Sequence, residues 1–92
     1  MLERIKINLG ISTADTALDD EINALIAEGE AELVRLGVPE DAVSEDDVLI
    51  QGAVIAYACA ARTVGTTEGE QWERVWSYKS DCLRKTVWGS EV

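Results

Sequence analysis

The sequence predicts an all-α fold, a small antiparallel bundle of three main helices preceded by a short N-terminal helix. Three observations carry this. A Ser or Thr followed three residues later by an acid occurs at Thr16-x-x-Asp19, Ser44-x-x-Asp47 and Thr67-x-x-Glu70, each ahead of an apolar run. In such a pair the hydroxyl accepts from the N–H three residues on, the carboxylate reaches back, and the acid faces the positive end of the helix dipole. Apolar residues then recur at steps of three and four, and no stretch sustains strand alternation. The connections are short, roughly 4–9 residues, which makes successive helices antiparallel neighbours.

Leu2, Ile5, Ile7 and Leu9 form the short first helix, closed by Gly10. Ser12-x-x-Asp15 has no long apolar run behind it and is set aside. The first long helix runs from about Ala17 to Leu36, with Leu18, Ile22, Leu25, Ile26, Leu33 and Leu36 on one face and Asp20, Glu21, Glu28, Glu30 and Glu32 over much of the rest. Gly37 supplies a positive-φ terminus and Pro39 blocks continuation. Gly29, in mid-helix, costs about 1 kcal/mol against Ala and marks a close backbone approach.

Ala42 and Val43 form a tucked turn in the acidic link that follows. The second long helix runs from about Glu45 to Thr63 and ends near Gly65. It is apolar on nearly all sides, so it lies centrally. The third runs from about Glu68 to Val87, with Trp72, Val75, Trp76, Lys79 and Leu83 as its stripe and Glu70–Arg74 and Asp81–Lys85 as i,i+4 pairs. The expected core is Ile22, Leu25, Ile26, Leu33, Ile50, Val54, Tyr57, Trp72, Val75 and Trp76.

Ninety-two residues make a single domain, 1–92, with a modest core that oligomerisation would help. Charge is unevenly spread. Residues 1–50 hold thirteen acids and three bases, the whole of the net −10, while residues 51–92 balance five against five. One end is thus strongly anionic, repelling DNA and membranes, and the other is neutral and aromatic-rich. The longest apolar stretch, Ala53 to Ala61, is nine residues against the roughly 20 of a membrane span. The N-terminus has no apolar signal core, so a cytosolic protein is expected, with Cys59 and Cys82 as reduced core residues.

The absence of histidine removes Ser-His-Asp triads, histidine metal sites and imidazole shuttles. No glycine loop cradles phosphate, and the acids from Asp41 to Asp47 lack the calcium-loop pattern. The acids cluster on solvated faces rather than in a buried dyad, and the bases are too scattered for a nucleic-acid groove. No catalysis, cofactor or metal is expected. Trp88, beyond the last regular turn, is expected in a contact between chains, and Tyr78, Ile55 and Ala58 complete the candidate interface.

Four segments in order carry a family resemblance. They are Met1-Leu2-Glu3-Arg4-Ile5-Lys6-Ile7-Asn8-Leu9-Gly10, Leu18-Asp19-Asp20-Glu21-Ile22-x-x-Leu25-Ile26, Leu49-Ile50-x-x-Ala53-Val54-x-x-Tyr57, and Glu70-x-Trp72-x-x-x-Trp76-x-Tyr78. The chain resembles the head–tail connector (adaptor) family of tailed bacteriophages and prophages, with a last helix richer in tryptophan than is typical there. The resemblance implies a helical subunit that forms a homo-oligomeric ring under the portal protein. It implies a virion head–tail junction, with assembly in the host cytoplasm. The ring extends the DNA channel and offers a platform to a tail or stopper protein, without cofactor or catalysis. Asp19, Asp20, Glu21, Glu45, Asp46 and Asp47 are then the candidate acidic channel or rim. Such a wall would not hold DNA by counterion release, so the duplex would slide past. The alternative is an acidic helical interaction protein, a regulator or DNA mimic, that binds a basic partner. A small enzyme ranks last for want of a catalytic constellation.

Overall fold

The computed structural model describes residues 1–44 and 47–85, and they form α1 (Leu2–Asn8), α2 (Asp19–Arg35), α3 (Glu40–Ser44), α4 (Val48–Arg62) and α5 (Thr67–Lys85). There is no strand among the described residues, as the sequence predicts. The tucked turn at Ala42 and Val43 is the short helix α3.

Helix ends follow from local chemistry, though not always from the residues expected. Gly10 and Gly37, at φ 75° and 109°, each close a helix with paired backbone bonds. After α2 the N–H of Gly37 donates to Val34 O at 3.0 Å and that of Val38 to Leu33 O at 3.0 Å, while Val38 packs against the same core as Leu33. That is a Schellman ending with its hydrophobic contact. Gly10 and Ile11 repeat it on Ile7 O and Lys6 O at 3.1 and 2.8 Å.

Three starts differ from the sequence reading. α2 begins at Asp19, so the cap position falls to Leu18, which has no side-chain acceptor, and the Asp19 carboxylate accepts from Lys6 instead of reaching back to Thr16. Ser44 ends α3, so α4 is capped by Asp47, whose Oδ1 accepts from Leu49 N at 2.8 Å and Ile50 N at 3.4 Å. At α5 the cap is Thr66 rather than Thr67, its Oγ1 accepting from Gly69 N at 2.9 Å.

α4 is the axis of the fold. Glu21 at the start of α2 pairs with Arg62 at the end of α4, and Gly29 meets Tyr57 midway, so α2 and α4 run antiparallel. Gly52, early in α4, meets Lys79 late in α5, and Gly69 meets Thr63, so α5 is antiparallel to α4 as well. α1 packs on both α2 and α4. The small residues of α4 permit this closeness: Ala53, Ala56 and Ala58 are fully buried. A β-carbon on Gly69 would lie 2.0 Å from Thr63 O, so glycine is what lets α5 begin against the end of α4.

The core has two parts. Leu33, Val38, Val43, Ile50, Ala53, Val54 and Leu83 fill one, and Ile5, Ile22, Ile55, Ala58 and Cys59 the other. Of the expected core, Ile22, Leu33, Ile50 and Val54 are buried, while Leu25, Ile26, Tyr57, Trp72, Val75 and Trp76 are half-buried. Alanines at the centre of α4 bring the helices too close for large rings to enter between them, so the aromatics seal the edges. Tyr57 shows how. A β-carbon on Gly29 would sit 3.2 Å from its ring, and the ring packs edge-on against Trp76 at 5.1 Å. The expected close approach at Gly29 is therefore present. Ile7 is 65% exposed, on the opposite side of α1 from Leu2, Ile5 and Leu9. Cys82 is exposed, not a core residue, and neither cysteine forms a disulfide.

Candidate functional site: an acidic flank and the face of α5

The acidic flank is built on α2 and α3. The side chains of Asp20, Glu21, Glu28, Glu40 and Asp41 are exposed there. The only base of α2, Arg35, bonds Glu32 within its own last turn, and the guanidinium holds the Glu32 carboxyl below its ordinary value. The first-turn position of Asp20 and Glu21 suits the helix dipole.

The six candidate rim residues divide. Asp20 and Glu21 are exposed on the flank, and Glu21 lies 2.5 Å from Arg62. Asp19 does not join them. Its carboxylate is 25% exposed and faces inward to the Lys6 ammonium at 2.8 Å. Asp47 is spent on capping α4. Glu45 and Asp46 lie outside the described residues.

Lys6 is the residue that sequence reasoning missed. It is 2% exposed, and its Nζ donates to Thr13 O at 3.3 Å, to Asp15 O and to Asp19 Oδ1. One ammonium thus ties α1, the following loop and the start of α2. The signal was present: Lys6 stands four residues after Leu2, beside the inward side of α1, where a charge needs a buried partner. Asp19 also fits a helix-start acid in the first turn of α2, and its sequence position does not separate the two roles.

The face of α5 differs in kind. Its acids Glu68, Glu70, Glu73 and Asp81 are balanced by Arg74, Lys79, Arg84 and Lys85. Asp81 pairs with Arg84 and with Lys85 at 2.8 Å, which pulls its carboxyl below its ordinary value. The Asp81–Lys85 pair is as expected, whereas Glu70 and Arg74 do not come within ion-pair distance. Tyr78 is 72% exposed beside Leu49, at 68%. Both line a shallow recess of about 240 Å³ with Lys79, Cys82 and Leu83. Glu68, Gln71, Trp72 and Val75 line another, of about 430 Å³, further back along the helix.

The candidate interface is corrected at two positions. Ile55 and Ala58 are 4% and 0% exposed, packed among Ile5, Ile22 and Cys59, and offer nothing to a neighbouring chain. The helical period explains it: α4 is covered by α2, α5 and α1, so its apolar positions are used within the chain. Tyr78 is on the surface as expected, and Trp88 lies outside the described residues.

Titration adds little chemistry. Burial, with Glu68 nearby, pushes the Cys59 thiol up to about 11, which makes it a poor nucleophile at neutral pH. Among the described residues no group of His, Cys, Asp and Glu is disposed to hold a metal ion. No helix among them is long and apolar enough to cross a membrane.

These features define an all-helical chain with one strongly anionic flank and one charge-balanced, aromatic face. Residues 1–66, which span α1 to α4, match the family model described as phage connector protein, and the chain belongs to that family. No curated protein and no solved structure matches it.

Proposed function

We propose that this connector protein acts as a ring subunit at the head–tail junction. In this reading several copies pack side by side beneath the portal protein, extend the DNA channel, and present a platform to a tail or stopper protein. The chemistry is structural, with no reaction and no cofactor. The observation that carries the reading is the separation of charge by element within a connector-family chain. Exposed acid gathers on α2 and α3, while α5 balances its charges.

The two surfaces divide the work. Asp20 and Glu21, with Glu28 and the α3 acids, form the wall or rim past which DNA moves. Carboxylates release no counterions from the duplex and so provide no grip. The charge-balanced surface of α5, Tyr78 included, meets a neighbouring subunit or the portal, where aromatic anchors contribute most, and Trp88, outside the described residues, is a candidate for the same contact. In the virion the subunit then sits at the head–tail junction, and before assembly in the host cytoplasm.

Electron microscopy of the purified chain mixed with its cognate portal tests this. A closed ring seated on the portal is expected. A chain that ignores the portal and instead binds a basic protein tightly would replace the connector role with that of an acidic regulator or DNA mimic.

A further inference from the structure

We propose that α5 is a self-recognition helix, pairing antiparallel with α5 of a second copy of this chain. One outward row of α5 carries it. Glu68, Gln71, Val75, Tyr78, Cys82 and Lys85 follow one another at alternating steps of three and four, the spacing of a two-helix seam. Five of the six are exposed and Val75 is half-buried. The row flanks the core-facing side of α5, which holds Gly69, Ser80 and Leu83, so it is a second stripe and not the one that packs on α4.

The row is complementary to itself when reversed. With two copies antiparallel, Val75 meets Tyr78, Gln71 meets Cys82, and Glu68 meets Lys85, each pair occurring twice. The centre is apolar and the ends are opposite charges. Beside the seam, Arg74, which forms no ion pair among the described residues, comes opposite Asp81 of the second copy. Asp81 already holds Arg84 and Lys85, but these are surface pairs that exchange cheaply. A parallel pair would set Glu68 on Glu68 and Lys85 on Lys85, which disfavours that orientation. Charge complementarity thus selects both the occupant and its direction.

One helix face is a small contact, of the transient class. It is also isologous, so it closes at two copies and does not by itself propagate a ring. α5 lies beyond residues 1–66, so the seam is outside the part of the chain that matches the family. The pairing does not depend on the ring reading, since it needs no portal and is tested on the isolated chain.

Cys82 makes the register testable. In Gln71→Cys, the new thiol should fall opposite Cys82 of the second copy, and mild oxidation should give a covalent dimer on a non-reducing gel. Gln71→Cys with Cys82→Ser should lose it. Wild type should remain uncrosslinked, because the two Cys82 residues lie about 16 Å apart along an antiparallel seam, beyond disulfide reach. Sedimentation equilibrium up to about 1 mM, the weak end of specific association, should show a monomer–dimer equilibrium. Tyr78→Glu should weaken it roughly tenfold or more. Glu68→Lys should weaken it too, and adding Lys85→Glu should restore it. Crosslinking of wild type through Cys82 would mean a parallel pair and overturn the proposal. So would a monomer at every concentration, or loss of association in Trp88→Ala with none in Tyr78→Glu, which would make the C-terminal segment the occupant. Circular dichroism of each variant separates these outcomes from loss of fold.

Discussion

The α2–α3 flank and α5 lie against the same central helix but use their side chains in opposite ways. α2 sends branched aliphatics inward, with Ile22 and Leu33 fully buried, and gives its outer surface to acid of one sign. α5 sends inward only Gly69, Ser80 and Leu83 as buried residues, leaves its tryptophans half-buried, and mixes both signs outside. α2 is therefore fixed by its core and its outer charge remains available. α5 depends on ring edges and close backbone contact, and much of its chemistry faces away from the chain. A residue on α2 is thus either structural or electrostatic, whereas a residue on α5 often serves two surfaces.

The largest expected effect tests the dependence of α5 on ring edges. Trp76→Ala removes the edge-on contact with Tyr57 and a ring packed against the core of Leu33 and Val54. It should cost about 3 kcal/mol, the low end for a tryptophan because the ring is half-buried. Urea unfolding checks this, and a midpoint equal to wild type would mean that α5 is not held by its aromatics.

Next comes the buried pair behind the acidic flank. Asp19→Asn leaves the Lys6 ammonium, 2% exposed, facing a neutral partner, and should cost about 2–3 kcal/mol. Lys6→Met removes the charge but also the bonds to Thr13 O, Asp15 O and Asp19, so it should cost a similar amount, about 2–3 kcal/mol. The double variant should resemble Lys6→Met alone. Single-variant costs that simply add in the double variant would show that the two side chains do not act as a pair.

Helix capping separates structural acid from surface acid. Asp47→Ala should cost about 1 kcal/mol by removing the acceptor for Leu49 N and Ile50 N. Asp20→Ala, at an exposed site on the flank, should stay within about 0.5 kcal/mol of wild type by thermal unfolding. If the two were alike, the acids of the N-terminal half would share one role.

The smallest effect is a pH dependence. In the folded chain the Cys59 thiol titrates at about 11 against an ordinary 9.0, so the folded state keeps a proton that the unfolded state releases. This contribution is complete below pH 9 and is lost as pH rises from about 9 to 11. Stability should fall across that window in wild type, and the fall should be shallower in Cys59→Ala. At neutral pH a thiol reagent should modify exposed Cys82 and spare buried Cys59.

The fold was legible where periodicity acts over several turns. α2, α4 and α5 stand where their apolar spacing places them, and the central role of α4 follows from its being apolar all round. Boundaries were less legible because several hydroxyls and acids compete for one helix end. Asp47 outdid Ser44 and Thr66 outdid Thr67, a choice that depends on where the previous element stops. The surfaces were harder still. The spacing of Ile55 and Ala58 shows that they share a side of α4 but not that α1 and α2 already cover it. Asp19 and Asp20 are adjacent in sequence, yet only the fold of the intervening loop turns one to Lys6 and the other to solvent.

Sedimentation velocity of the isolated chain and of its mixture with the cognate portal, at several salt concentrations, tests the proposed connector ring most directly. Each subunit carries a net −10, and salt near 0.1–0.15 M screens such repulsion beyond about 8–10 Å. The account predicts that higher salt promotes self-association and that the portal recruits the chain into a complex of fixed, ring-sized stoichiometry. A chain that never exceeds a dimer at any salt or protein concentration, and that sediments independently of the portal, would contradict it.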